Sequence, residues 1–282
     1  MPILSEGHTI LVPGKIVLAG EYAVLDGCPA LALALNRGVG CHIQQGKGIS
    51  TPNGDTSFVA PFLAQHAHTK HYHFFNWNPV VEFGKDKPGF GGSAAACVAA
   101  CIAAGEALEK AFSVHHSVQG SGSGIDVAAS IHGGLIEYTN GHSIPKPTIT
   151  PLVIWSGSSA KTGPRVQQYL AWKERNTFVE ECHQIIAEFE RAPLEAISTL
   201  YVLLSNMAEQ AHIPYNTPNI QHIVKMVRDM GGAAKPSGAG GGDCVIALFL
   251  DEQARWEFQK QSPFPSILAE PAPPPQIITQ QT

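Results

Sequence analysis

A glycine-rich loop that leads into a predicted helix is the segment of this sequence best suited to binding phosphate. Residues 87–95 read KPGFGGSAA, and the Ala-rich stretch after them continues without proline to about residue 112. The first turn of a helix has unpaired backbone N–H groups and a partial positive charge, which Gly and Ala leave open to an anion. The loop therefore predicts a triphosphate site, with the Ser93 hydroxyl available to phosphate-bound Mg²⁺. Taken alone it fits a tight strand-to-helix turn equally well, since the GK[ST] ending of a Walker A loop is absent.

Two more segments combine glycine with lysine. Residues 235–243 read KPSGAGGGD, with four Gly in five residues. Such a run raises the entropy cost of folding, so it favours contact with a phosphate or a substrate over a flexible turn. Residues 13–24 read PGKIVLAGEYAV, in which a turn at Pro13 and Gly14 is expected to separate two short strands.

A single aspartate follows a fourth glycine-containing segment. Residues 120–130 read GSGSGIDVAAS, and Asp126 lies near the start of a helix predicted over residues 124–131. Its carboxylate could simply stabilise the helix dipole. It could instead orient a substrate hydroxyl or accept its proton. Composition alone favours the first interpretation.

The elements around these segments predict an α+β fold. Strands are expected at 10–19, 30–45, 135–138, 152–155 and 244–250, and helical periodicity dominates residues 165–230. Strands and helices do not alternate in strict βαβ order, which argues against a doubly wound nucleotide fold. Residues 266–282 form a Pro-rich tail that is expected to be disordered.

Composition excludes several classes of function. Among 282 residues, 18 are Lys or Arg and 23 are Asp or Glu, so the net charge of −5 argues against nucleic-acid binding. No apolar run approaches the roughly 20 residues of a membrane span, and the first residues do not resemble a signal peptide. We therefore expect a cytoplasmic protein without membrane partners.

Cysteine and histidine patterns give little support for a metal site. The six Cys include no CxxC pair, which argues against disulfides and zinc. His66, His68, His71 and His73 are close in sequence. They could bind Zn²⁺ if they alternate along a strand. The favoured alternative is an exposed strand and loop near the rim of the active site.

Taken together and in order, these motifs resemble those of the GHMP kinase superfamily over most of residues 10–250, and are most similar to the phosphomevalonate kinases. The first motif has Tyr22 where mevalonate kinases typically have His, the second is similar to K-x-G-L-G-S-S, and the third ends in GGGDC. The resemblance implies a two-domain α+β fold. Its ATP-binding N-terminal domain (1–150) would be ribosomal-protein-S5-like, its C-terminal domain (151–265) ferredoxin-like, and ATP would lie between them.

The resemblance also implies an activity and a set of site residues. The activity is transfer of the ATP γ-phosphoryl group, with Mg²⁺, to 5-phosphomevalonate, a step toward isoprenoids. Asp126 and Lys15 would be catalytic, and Ser93 would contact the metal. Nucleotide would be bound by Lys87, Gly89, Gly91, Gly92, Ser93 and Ala94. Substrate would be bound by Tyr22, Ser121, Ser123, Lys161, Ser237, Gly238 and Ala239.

Departures from the family pattern leave alternatives open. Gly92 replaces the first of two usual Ser residues, and residues 112–116 contain no acid where some members have a Glu metal ligand. The acceptor could be mevalonate or another small metabolite. The chain could also be a catalytically lapsed relative that only binds nucleotide or metabolite. The sequence leaves the choice between monomer and homodimer open.

Overall fold

The structure of the protein is a computed structural model that describes residues 2–84, 88–160 and 162–279. The strands are β1 (His8–Ala19), β2 (Ala30–Gln45), β3 (Gly48–Ser50), β4 (Lys70–Trp77), β5 (Leu135–Thr139), β6 (His142–Lys146), β7 (Leu152–Trp155), β8 (Gly232–Pro236), β9 (Cys244–Phe249), β10 (Ser266–Leu268) and β11 (Gln276–Thr279). The α-helices are α1 (Ala60–Leu63), α2 (Gly92–Ala103), α3 (Glu109–Gln119), α4 (Ile125–His132), α5 (Thr162–Ala171), α6 (Arg175–Ala187), α7 (Pro193–Gln210), α8 (Pro218–Asp229) and α9 (Glu252–Gln261). The predicted α+β class is confirmed.

The first sheet is built around the long strand β2. It contains seven strands, with β11, β1, β2, β4 and β3 in that order and the β5–β6 hairpin attached to β2. One edge of β2 pairs with β1 along most of its length, and the other pairs with β4 and β5. Alternating apolar residues in its second half place Val39, Cys41 and Ile43 in the core. The sheet therefore holds β1, and with it Lys15, at a fixed interior position.

Helices α2 and α4 pack against β1 and β2. Small side chains let α2 lie close to the sheet, and all its residues from Cys97 to Ala103 are buried. The helix predicted to run to about residue 112 is divided, because Gly105 adopts a left-handed conformation with φ 69° and ends α2. Helix α3 then begins at Glu109.

The first strand differs from its prediction. The prediction of a turn at Pro13 and Gly14 is wrong, because β1 continues through both residues. Between them, only the register of the pairing with β2 shifts. An irregularity of this kind keeps the strand paired while bending it locally. Lys15 therefore lies inside a continuous strand.

The second sheet includes the glycine-rich segment at residues 235–243. Its four strands are ordered β10, β7, β9 and β8, and each pairing is antiparallel. Helices α7 and α8 pack against β8. Because Pro236 pairs with Val245, residues 237–243 form the connection at the tip of the β8–β9 hairpin. No helix in the described ranges is both long and apolar enough to cross a bilayer.

The expectation of a disordered tail is corrected for residues 266–279. β10 pairs with β7 in the second sheet, and β11 returns to pair with β1 in the first. Between them, the Ala269 N–H donates to Pro151 O at 2.9 Å and the Ala272 N–H donates to Ala34 O at 3.0 Å. The segment orders because its backbone is hydrogen-bonded to both sheets, which composition could not reveal.

Candidate functional site

A cleft of about 650 Å³ lies between β1, α3, the start of α4 and the tip of the β8–β9 hairpin. Its lining includes the proposed catalytic pair, Lys15 and Asp126. It also includes five of the residues predicted to bind substrate: Tyr22, Ser121, Ser123, Gly238 and Ala239. Ser237 does not line this cleft; its hydroxyl accepts a hydrogen bond from the Val17 N–H at 2.9 Å. Lys87, predicted to bind nucleotide, and Lys161, predicted to bind substrate, lie outside the described residues.

Lys15 and Asp126 form an ion pair in the lining of the cleft. Lys15 Nζ lies 3.4 Å from Asp126 Oδ1, and the two side chains are 9% and 33% exposed. Lys15 comes from the interior of β1, and Asp126 comes from the first turn of α4, close to the position that the sequence predicted. Partial burial makes the attraction stronger than it would be in water.

The glycine-rich loop meets this pair from the side of α2. The Lys15 N–H donates to Phe90 O at 2.9 Å, and a Cβ on Gly14 would lie 2.4 Å from that oxygen. Lys15 Nζ also donates to Gly89 O at 3.5 Å. Gly14 therefore permits the loop to approach β1, and the lysine ammonium lies between the loop and the aspartate.

The start of α2 has the open backbone that anion binding needs. Gly91 precedes the helix in the left-handed region at φ 69°, and no side chain caps the first turn. A Cβ on Gly91 would lie 3.1 Å from Lys15 Cε and 3.6 Å from Asp126 Oδ2. Gly92 differs, since a Cβ there would meet no atom closer than 4.0 Å. Ser93 and Ala94 follow in the same turn, so all five described loop residues of the prediction lie together.

Ser93 contacts a histidine that the sequence analysis did not select. Ser93 Oγ lies 3.2 Å from His115 Nε2 on α3. His115 is buried, and its ring packs on Phe58 with centroids 5.1 Å apart. Burial lowers the pKa of His115 below its usual range, although the nearby Asp126 carboxylate opposes this effect. The imidazole is therefore expected to be neutral near pH 7.

A buried ion pair joins the segment at residues 13–24 to the glycine-rich segment at residues 235–243. Lys235 Nζ donates to Glu21 Oε1, and both side chains are almost fully buried. The same carboxylate oxygen accepts from the Gly238 N–H at 3.3 Å. Burial lowers the pKa of Lys235, and the Glu21 carboxylate opposes that shift. The pair therefore ties the hairpin tip of the second sheet to the loop after β1.

Tyr22 is held in an uncommon conformation beside the cleft. Its φ of 62° and ψ of −53°, with the Ala23 N–H donating to Glu21 O at 2.7 Å, define a strained γ-turn. The Tyr22 hydroxyl donates to Ala239 O at 2.6 Å. Burial raises the pKa of Tyr22, so this hydroxyl stays protonated.

One face of α3 also lines the cleft. Glu109, Ser113 and His116 follow one another at helical spacing, and all three are lining residues. Glu109 is not among the predicted site residues, because the Ala-rich pattern predicts a single helix that runs to about residue 112. The spacing of three or four residues was the available signal.

Two of the clustered histidines, both on β4, form hydrogen bonds with side chains of neighbouring strands. His71 interacts through Nδ1 with Gln44 at 2.8 Å and through Nε2 with Ser50 at 3.1 Å. His73 Nδ1 shares the same Ser50 hydroxyl at 2.9 Å. Within the described ranges no three His, Cys, Asp or Glu side chains are grouped to hold a metal ion. The zinc hypothesis is therefore not supported.

A segment in the second half of the chain is similar to a known protein family. Residues 186–261 match the model of the GHMP kinases C terminal family. Mevalonate kinase of Aeropyrum pernix is 28% identical over 85% of this chain and 87% of its own length. Phosphomevalonate kinase of Streptomyces sp. (strain CL190) is 26% identical over 93% of this chain and 98% of its own length.

Solved structures share the whole fold. The Lin0012 protein of Listeria innocua superposes with a TM-score of 0.83 at 22% identity, over 97% of this chain and 99% of its own. Streptococcus pneumoniae phosphomevalonate kinase, solved in complex with phosphomevalonate and AMPPNP, gives a TM-score of 0.73 at 21% identity, over 89% and 95% of the two chains. The chain therefore has the fold of the GHMP kinases, and residues 186–261 match the C-terminal domain of that family, so the resemblance stated from the motifs is confirmed for the fold and for this C-terminal segment.

Proposed function

We propose that this protein is an ATP-dependent kinase of the mevalonate pathway that transfers the γ-phosphoryl group to 5-phosphomevalonate, giving 5-diphosphomevalonate. The observation that carries the proposal is that the Lys15–Asp126 pair both adjoins the open start of α2 and lines a cleft large enough for a small metabolite. The curated relatives include both mevalonate and phosphomevalonate kinases. The kinase chemistry is supported more broadly than the acceptor.

The loop fits a nucleotide phosphate chain. The first-turn N–H groups of α2 lack a side-chain cap, and the preceding Gly91 could carry a side chain only by pushing Lys15 aside. Residues 89–94 would hold the phosphates, and Ser93 would help to hold Mg²⁺. When bound, Mg²⁺ supplies charge neutralisation on the phosphate oxygens.

Lys15 supplies positive charge where two anions must approach each other. Two unit charges about 4 Å apart repel by roughly 4 kcal/mol at an effective dielectric of about 20. Lys15 Nζ lies between the loop and the cleft, within 3.5 Å of Gly89 O and 3.4 Å of Asp126 Oδ1. It is therefore well placed to screen that repulsion.

Asp126 acts on Lys15 and on the orientation of the acceptor. A phosphate acceptor is already largely ionised near pH 7, because its second pKa is about 6, and it needs no strong base. The carboxylate then serves to fix the ammonium through their ion pair. For a hydroxyl acceptor, the same carboxylate would have to take a proton.

Mevalonate is the alternative acceptor. Most of the curated relatives are mevalonate kinases. In addition, Lys15 is the one Lys or Arg among the described lining residues, which also include Glu21, Glu109 and Asp126. Tyr22, where mevalonate kinases typically have His, favours the phosphorylated acceptor. The Tyr22 hydroxyl donates its hydrogen bond to Ala239 O.

A side-by-side ADP-release assay with mevalonate and 5-phosphomevalonate tests the proposal. We expect kcat/KM for 5-phosphomevalonate to exceed that for mevalonate by at least about tenfold. A preference for mevalonate would replace the proposed acceptor. Nucleotide binding without ADP release on either compound would instead identify a lapsed relative.

A further inference from the structure

His115 occupies a position that the proposed chemistry does not yet use. It is a buried imidazole on α3, and its Nε2 lies 3.2 Å from the hydroxyl of Ser93 in the phosphate loop. Packing against Phe58, with ring centroids 5.1 Å apart, fixes the plane of the ring. The contact joins α2 to α3 through two residues that are 22 positions apart along the chain.

The direction of this hydrogen bond decides what Ser93 can offer to a cation. A hydroxyl has one proton and two lone pairs. If Nε2 of the imidazole accepts a hydrogen bond from the Ser93 hydroxyl, both lone pairs of Ser93 Oγ stay available. If Nε2 donated instead, one lone pair would be occupied and an N–H would face the oxygen that a metal ion must approach.

We infer that His115 is a positioning residue for nucleotide-bound magnesium: its Nε2 accepts a hydrogen bond from the Ser93 hydroxyl and thereby keeps the lone pairs of the Ser93 oxygen free to bind the metal. The inference deepens the proposed function and rests on it, because it assumes that the loop binds a nucleotide with Mg²⁺. It also gives a role to the segment 112–116, which contains no acid.

Calorimetric titration of ADP, once with excess Mg²⁺ and once with EDTA, separates this role from a structural one. His115→Phe keeps a ring against Phe58 and removes the acceptor, whereas His115→Gln offers an amide oxygen in its place. We expect His115→Phe to weaken ADP binding at least about fivefold with Mg²⁺ and by less than about twofold with EDTA. His115→Gln is expected to stay within about twofold of the wild type in both conditions.

A double-mutant cycle with Ser93→Ala completes the test. Once the hydroxyl is gone, His115→Phe should change Mg²⁺-dependent ADP binding by less than about twofold further, because the two residues act as one unit. His115→Leu provides a second variant without an acceptor if His115→Phe does not fold.

Each contrary result has a distinct meaning. Unchanged Mg²⁺-dependent binding in His115→Phe overturns the inference alone. Equal losses with Mg²⁺ and with EDTA also overturn it, because they show a merely structural role. A wild-type protein that binds no ADP under either condition overturns the proposed function and the inference together.

Discussion

Replacing Asp126 by Asn tests the ion pair at the centre of the site. The substitution keeps the shape of the side chain and removes its charge. At 3.4 Å, two opposite unit charges attract by about 5 kcal/mol at an effective dielectric of about 20. Asp126 is 33% exposed, so solvent already screens part of that attraction and only a fraction is lost.

Losing even a small part of this attraction would lower kcat measurably. Losing about 1.4 kcal/mol of transition-state stabilisation lowers kcat about tenfold. We therefore expect Asp126→Asn to lower kcat at least about tenfold in the ADP-release assay, while the circular dichroism spectrum and the Tm stay close to those of the wild type. The loss arises because the Asp126 carboxylate no longer holds Lys15 beside the glycine-rich loop before α2.

Glu106→Gln is the matched control. Glu106 also pairs with a lysine, Lys110, at 2.5 Å, but on the surface of the protein, where the two side chains are 34% and 56% exposed. Its loss should leave kcat within about twofold of the wild type. Near wild-type turnover in Asp126→Asn would refute the reasoning and remove Asp126 from the mechanism.

Three further predictions concern the elements that hold the site. Lys235→Met leaves Glu21 buried without its partner, so urea denaturation should show about 3–5 kcal/mol lost from the free energy of unfolding; a loss below about 1 kcal/mol would contradict the buried pair. Gly91→Ala forces a side chain into a left-handed position and against Lys15, and should cost roughly 1–2 kcal/mol of unfolding free energy. Gly92→Ala should cost little, because the nearest atom to its Cβ would be Val39 Cγ2, at 4.0 Å. Thr217 accepts a hydrogen bond from the Ile220 N–H at 3.2 Å at the start of α8, so Thr217→Ala should lower the free energy of unfolding by about 1 kcal/mol, and an unchanged value would contradict its capping role.

The local signals in the sequence identified much of the candidate site. The glycine loop before α2 and the aspartate in the first turn of α4 are features of short segments, and both lie where they were predicted. Their family resemblance also predicted that they meet. Composition alone could not, because the contact between Lys15 and Asp126 joins β1 to α4 across more than a hundred residues.

The errors arose where tertiary structure overrides local pattern. The Ala-rich run was extended past Gly105, whose left-handed conformation ends α2 and gives α3 its own face toward the cleft. The Pro-rich C-terminal segment orders because β10 pairs with β7 in the second sheet and β11 pairs with β1 in the first. His115 carried no signal of its own, since its importance comes from the Ser93 hydroxyl on another helix.

The most direct test of the central claim is a crystal structure of the protein with a non-hydrolysable ATP analogue and Mg²⁺. We predict that the triphosphate lies against the backbone N–H groups of residues 89–94, with its terminal phosphate next to Lys15 and Asp126. A triphosphate bound elsewhere, with the start of α2 left empty, would contradict it.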